Sequence, residues 1–409
     1  MAMRIGAAFV AVLVTCLMTS SAVDTGNAAL EWNRIALSAA AGEGAIPQLR
    51  SMAIVEVAVH DAVNLITGKH PTYLSYSGAP ARASGEAAAI AAAHKTLTSL
   101  FSAQTAMFDA VRAASLASRG LSEADAGIAV GKSVAAAILA ARATDKAAAA
   151  QFPYTAPGGG TPGVWAAIDT TPALLPGWGS VTPWVLQSGS QFRPDGPPSL
   201  DSARWARDYT EIKELGSLRS PARTDEQTEI ARFWLSSPAT IWNGVGRKMI
   251  EARGLDLSDT AYVLALMYLA AADASITCWD AKYAFNFWRP QHAIRNGHLD
   301  GNDETTRDPD WVPLFATPPH PEYLSGHTAN SSAMATMLQF IFGDNPGVPI
   351  VAVSSTNPGF PRQWTTFGEG VNEVIEARIY SGLHYRTADE VGARVGRDVA
   401  HFVFLHALR

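Results

Sequence analysis

Cysteine is nearly missing from this chain of 409 residues, which has only two, Cys16 and Cys278. Cys16 falls in a segment that reads as a removable leader, so Cys278 is left alone and no internal disulfide can staple the fold. Charge is also scarce, at 17% against 48% hydrophobic residues, which excludes a disordered chain and predicts a large packed core. Positive charge is in no surplus: a formal net charge of -6 offers no electropositive face, so no nucleic-acid partner is expected. Segments of alternating polarity are few. Residues 260–276 are apolar but too short for a bilayer span and carry Asp273, so no membrane span is expected after the leader. No His-Glu-x-x-His, Cys-x-x-Cys or Gly-x-Ser-x-Gly pattern occurs, which disfavours a zinc site and a serine-hydrolase elbow.

What is present divides the chain into stretches. Arg4, the apolar run over 5–18 and the small residues Ser20, Ser21 and Ala22 predict a signal peptide over 1–22, cleaved after Ala22, and a secreted or periplasmic protein. Residues 29–150 are Ala-rich with apolar positions at helical spacing, for example Met52, Val55, Val59, Ala62 and Leu65. Ser122 and Asp125 read as the opening of a further helix. Pro and Gly crowd 151–200, which reads as a long structured connection. Helical patterns then fill 201–409, with turns near Pro221, Pro238, Gly254 and over 300–319 and 343–361. The expected fold is all-α, built of helix bundles forming one body or two closely packed ones. Ala126 with Gly131-Lys132-Ser133 fits a relaxed phosphate-loop pattern, but a true loop follows a strand and none is expected here.

Three short stretches of the C-terminal half carry the chemistry. Lys282 and Arg289 lie seven apart, on one face if helical, among Trp279, Tyr283, Phe285, Phe287 and Trp288; Pro290 should end that helix at Arg289. Basic groups in such apolar company need an anionic partner. Ser325-Gly326-His327 opens a helical run, where free backbone N–H groups and the dipole favour an anion, although Ser325 would also serve as a plain cap. Arg378 and His384 are six apart, with Gly382 between them to bend the chain. Two arginines and a lysine can neutralise a tetrahedral oxyanion, and two imidazoles can supply a ligand or nucleophile and an acid–base group.

These stretches resemble the signature of the superfamily uniting vanadium-dependent haloperoxidases with type-2 phosphatidic-acid phosphatases: Lys-(six)-Arg-Pro, Pro-Ser-Gly-His and Ser-Arg-(five)-His-(three)-Asp. The likeness is strongest over 280–397 and to the bacterial haloperoxidases, with a looser echo in Arg50-Ser-Met-Ala and Val59-His-Asp-Ala-Val-Asn. The resemblance implies that Lys282, Arg289, Ser325, Gly326 and Arg378 hold the oxygens of vanadate, that His384 bonds the vanadium, and that His327 is the acid–base group. It implies hydrogen peroxide and halide as substrates, oxidation through a peroxovanadate polarised by Lys282, and a hypohalous acid equivalent as product, delivered where needed to a small organic acceptor. Phosphate would fit the same cage. Oligomeric state stays open.

The sequence departs from the signature at Leu324 (for Pro), Ala377 (for Ser) and Ala388 (for Asp), with Asp389 next in line for the Asp that normally steadies the ligand histidine. Trp279 matches chloroperoxidases and His320 bromoperoxidases, so these two halide-pocket candidates favour bromide or iodide over chloride. Three other functions compete. An acid phosphatase would use His384 as phosphohistidine nucleophile and His327 as general acid. A helical scaffold would keep the cage as a vestige. A metallohydrolase would rest on His60-Asp61 and the acidic loop between Asp300 and Asp310.

Overall fold

A computed structural model describes residues 26–409; the proposed leader over 1–22, with Cys16, lies outside the described residues. Thirteen α-helices dominate. The N-terminal part holds α1 (Ala28–Ala39), α2 (Ala45–Thr67), α3 (Gly85–Leu100), α4 (Thr105–Ser118) and α5 (Ala126–Arg142). The C-terminal part holds α6 (Ala203–Leu215), α7 (Asp225–Phe233), α8 (Pro238–Arg253), α9 (Leu257–Phe285), α10 (Pro290–Arg295), α11 (Gly326–Phe342), α12 (Phe367–Tyr380) and α13 (Arg386–His406). The all-α expectation holds. The two described strands, β1 (Ile350–Ala352) and β2 (Arg362–Trp364), form a short antiparallel hairpin.

One contiguous apolar core runs from Ala28 in α1 to Leu408 beyond α13, so the two helical halves share their interior. Its axis is α9, which is longer than the apolar run over 260–276 suggested. Asp256 caps its start by accepting the Asp259 N–H, and 29 residues then pass without Gly or Pro. By length and composition this helix would suit a membrane, but other helices cover it and 94% of its apolar window is buried. Asp273, buried mid-helix, accepts the backbone N–H groups of Trp184, Val185 and Leu186 at 2.7, 2.8 and 3.0 Å. Those bonds fasten the Pro/Gly-rich connection, whose one helical turn is the 3-10 segment Trp178–Ser180, onto the core helix.

The phosphate-loop lookalike belongs to α5, capped by Asp125, and its glycines serve packing. A Cβ on Gly127 would stand 2.2 Å from the Ser84 carbonyl oxygen, and one on Gly131 would stand 2.3 Å from that of Ala88 in α3. Glycine lets the two backbones touch there; no anion has room.

α9 also ends earlier than Pro290 suggested. Asn286 takes a left-handed conformation (φ 48°) and closes the helix four residues short of 289. Tyr154 Oη donates to its side chain at 2.9 Å, and Trp165 N–H donates to its carbonyl at 2.7 Å. Phe287 and Trp288 are thereby drawn against the connection, and Arg289 becomes the cap residue of α10 with Pro290 as its first turn. Lys282 and Arg289 meet by this turn, not by sharing a helical face.

Candidate active site

A cavity of about 310 Å³ opens where the starts of α2, α8 and α11 face the end of α12 and the loop after it. Its wall includes Trp279, His320, Gly326, His327, Asn330, Arg378 and His384. Among the described residues no acidic side chain lines it. Its mouth is apolar, formed by Ile46, Pro47, Leu174, Leu175, Pro238 and Pro318. Trp279 Nε1 and Tyr283 Oη fix that mouth by donating to the Leu174 carbonyl at 3.2 and 2.6 Å.

Three of the proposed cage residues sit behind this wall. Lys282, Arg289 and Ser325 are completely buried and do not form its surface. Lys282 Nζ donates to the carbonyls of Pro321 and Glu322 at 3.1 and 2.9 Å and lies 5.7 Å from the centre of the Trp279 ring. Arg289 donates through Nε to the His320 carbonyl (2.8 Å), through Nη1 to the Leu383 carbonyl (2.9 Å) and to His384 Nε2 (3.3 Å), and through Nη2 to the His320 ring (2.9 Å). Gly382, at φ 75°, makes the bend between α12 and α13 that returns His384 to the cavity shared with Arg378. Lys282 and Arg289 thus back a wall on which Gly326, His327, Arg378 and His384 converge.

Ser325 does not cap α11: its hydroxyl makes no cap bond and is buried without a partner. The same is true of His327 Nε2, Asn330 Oδ1 and Arg378 Nε. Gly326 serves a second purpose beyond exposing its N–H, since a Cβ there would press on Trp279 Cζ3 at 3.3 Å. Arg378 keeps only a long bond, 3.4 Å, to the Trp234 carbonyl.

Burial dominates the electrostatics. It pulls Lys282 down to about 7 and brings Arg289 and Arg378 each down to about 10. Burial also holds His320, His327 and His384 well below the ordinary histidine range, with nearby guanidinium and ammonium groups adding to the effect. A cationic cluster so poorly solvated gains from an anion placed in its midst.

Against known proteins, the likeness is consistent in kind. A family description, the VCPO second helical-bundle domain, matches residues 262–409. Vanadium chloroperoxidase of Curvularia inaequalis is 24% identical over 205 residues, which are 42% of this chain and 33% of that protein. This chain therefore spans about a third of the curated relative's length. A bacterial vanadium-dependent iodoperoxidase structure superposes with a TM-score of 0.79 at 26% identity, over 93% of this chain and 96% of that one. The chain is similar to the vanadium haloperoxidases. A holo-type bacterial vanadium-dependent chloroperoxidase shares the fold, at 17% identity and a TM-score of 0.67 over 88% of this chain and 91% of that one.

Vanadate is a tetrahedral oxyanion, and this chain has the donors to fit one. Ser325 Oγ and Arg378 Nε are donors among the buried polar atoms left without a partner, and Arg378 lies on the cavity wall with Gly326. The residue that sequence reasoning missed is Glu322. Its Oε1 lies 2.8 Å from His384 Nδ1, where Asp389 was considered. Asp389 is instead placed beside Ser325 and Arg378, with both carboxyl oxygens short of full hydrogen-bond geometry. No spacing rule reveals Glu322, because its loop meets His384 only in the folded chain. The signal available was an acid inside Pro321-Glu322-Tyr323, a run otherwise apolar.

The metallohydrolase alternative finds no support in the geometry. Asp61 accepts from the N–H groups of Tyr73 and Leu74 and from Tyr76 Oη, which makes it a loop anchor. Asp300 accepts from Trp205 Nε1 and Thr305 Oγ1. Among the described residues no cluster of three or more His, Cys, Asp or Glu side chains is placed to hold a metal ion.

Proposed function

We propose that this chain oxidises halide with hydrogen peroxide, using vanadate held in the cage and favouring bromide or iodide over chloride. The observation that carries the reading is the cavity wall: among the described residues its charged side chain is Arg378, His327 and His384 lie on it, and Lys282 and Arg289 are buried close behind. Vanadate, when bound, supplies a Lewis-acidic centre that accepts peroxide without changing oxidation state.

The protein's own groups do the rest. Lys282, Arg289 and Arg378 would balance the charge of vanadate oxygens, and Ser325 Oγ and the Gly326 N–H would be the groups to donate to them. His384 would offer the nitrogen lone pair to hold the metal. His327 is kept neutral by burial, and its Nε2 is buried without a partner. Being neutral, it could take a proton from peroxide at Nε2 and later give that proton back. Trp279 and His320, with ring centres 5.0 Å apart, supply polarisable faces for a large halide. The apolar mouth suits a small organic acceptor, since the cavity falls at the lower end of the ~300–1,000 Å³ common for small-molecule sites.

The test is a halide-oxidation assay with hydrogen peroxide, with and without added vanadate, beside phosphate release from an aryl phosphate. Vanadate-dependent bromide or iodide oxidation, competed by phosphate, is the expected result. Aryl-phosphate hydrolysis inhibited by vanadate, with no halide oxidation, would replace this reading by the acid-phosphatase one, in which the same His384 nitrogen attacks phosphorus.

A further inference from the structure

His384 is gripped from both sides of its ring. Nε2 lies 3.3 Å from Arg289 Nη1, and Nδ1 lies 2.8 Å from Glu322 Oε1. A guanidinium can only donate, so Nε2 carries the lone pair. Glu322 Oε1 also accepts the Tyr385 N–H at 3.1 Å, which marks it as an acceptor and puts the ring proton on Nδ1. Glu322 is itself held firmly. Its N–H donates to the Phe287 carbonyl at 2.9 Å, its carbonyl accepts Lys282 Nζ at 2.9 Å, and its side chain is fully buried. The Ser325 N–H donates to the Ala388 carbonyl at 3.2 Å, joining this loop to the start of α13. Glu322 and Ala388 border the same small void.

We propose that Glu322 is the positioning residue for His384: it fixes the tautomer that leaves Nε2 unprotonated, with a lone pair a metal could share, a task moved from α13 to the loop preceding Ser325. The proposal rests on the vanadate reading above, and the test separates the two. The full chain is titrated calorimetrically with vanadate and, separately, with phosphate, as wild type, Glu322→Gln, Glu322→Ala and Glu322→Leu. Leucine fills the space without an acceptor, and glutamine keeps one. Loss of a carboxylate behind a ligand histidine weakens metal binding by ~10–100-fold. Alanine and leucine should show that loss for vanadate, glutamine should recover most of it, and phosphate, held by the cationic groups, should change little in all three.

A parallel measurement needs no vanadate. The side-chain ¹⁵N shifts of His384 should report a protonated Nδ1 in wild type and Glu322→Gln, and a mixture of tautomers in the leucine and alanine variants. Wild-type vanadate affinity in Glu322→Leu and Glu322→Ala overturns the assignment. So does an equal loss of vanadate and phosphate that glutamine fails to rescue, or a His384 tautomer indifferent to residue 322. A wild type that binds phosphate but shows no vanadate-dependent halide oxidation would sink the parent reading instead, and the tautomer measurement would still decide the role of Glu322.

Discussion

In α2, Asp61 is fully buried and accepts three hydrogen bonds, at 2.7, 3.1 and 2.8 Å, from Tyr73 N, Leu74 N and Tyr76 Oη. In α13, Asp389 is just as buried, yet neither carboxyl oxygen closes a hydrogen bond. The contrast extends to their neighbours. Around Asp61 and Asp273 the carboxylates tie loops to helices, while around Asp389 the polar atoms of Ser325, His327, Asn330 and Arg378 are left over together. Native interiors satisfy nearly all buried polar groups, so a cluster of leftovers beside a cavity marks a place prepared for a guest. Burial of a charged group is thus poor evidence of function by itself, and the separation lies in whether its valences are already used.

The contrast should break most visibly when one residue is changed on each side. His384→Ala removes the lone pair that meets the metal, and halide oxidation should fall by more than the ~10–100-fold that mere supporting residues cost. Its melting temperature should fall less than that of Asp61→Ala, since Arg289 and Glu322 keep other partners. Asp61→Ala should do the opposite, leaving two backbone N–H groups and a tyrosine hydroxyl without an acceptor at ~1–3 kcal/mol of stability. The melting temperature should drop while turnover per folded molecule is kept. Thermal denaturation alongside steady-state kinetics checks both; peroxidase turnover persisting in His384→Ala would remove that residue from the proposed role.

How much of this was legible depends on how local each signal is. The all-α class was readable because α9 has no Gly or Pro and the N-terminal helices repeat apolar positions at helical spacing. The three site stretches were readable because each carries its reactive groups within a few residues. The end of α9 was misplaced because Asn286 is stabilised by Tyr154 and Trp165, more than a hundred residues earlier, whereas Pro290 gave a local but weaker stop signal. Glu322 was invisible for the same reason. Its partner His384 lies 62 residues on, and the choice between Glu322 and Asp389 is made by how α13 packs on α11. That packing is tight: a Cβ on Gly396 would lie 2.1 Å from the Ala329 carbonyl oxygen.

Acidity sharpens the comparison next. Burial lowers Lys282 to about 7, and a bound anion would raise it again. A group whose affinity for a proton increases on anion binding makes that binding strongest below its free value and weaker as pH rises through it. Sulfate, whose own charge is constant in this range, should therefore bind evenly below pH 7 and lose up to ~10-fold per unit above it. Glu322, pushed up to about 8 by burial, acts with the same sign once it ionises. Lys282→Met should bind sulfate more weakly throughout and postpone the decline to the Glu322 range, as calorimetric titration between pH 6 and ~9 would show. An unchanged onset near pH 7 in Lys282→Met would assign the slope to some other group.

The smallest effect is expected at the halide wall, where a buried polar valence is satisfied without being rigidly committed. His320 accepts a bond from Arg289 Nη2 at 2.9 Å and lies tilted at 43° against Trp279. Phenylalanine would keep a ring beside Trp279 but offer Arg289 no acceptor, so one guanidinium N–H would turn its charge toward the cavity. That change favours the smaller, more strongly hydrated chloride relative to bromide. A single hydrogen bond is worth ~0.5–1.5 kcal/mol, so the bromide-to-chloride ratio of kcat/KM should fall by no more than about tenfold in His320→Phe. Because Arg289 still reaches the carbonyls of His320 and Leu383, vanadate affinity should hold. A ratio that does not move would mean that halide meets the bound oxidant elsewhere than between Trp279 and His320, and the halide wall would then join Asp61 and Asp273 as scaffold.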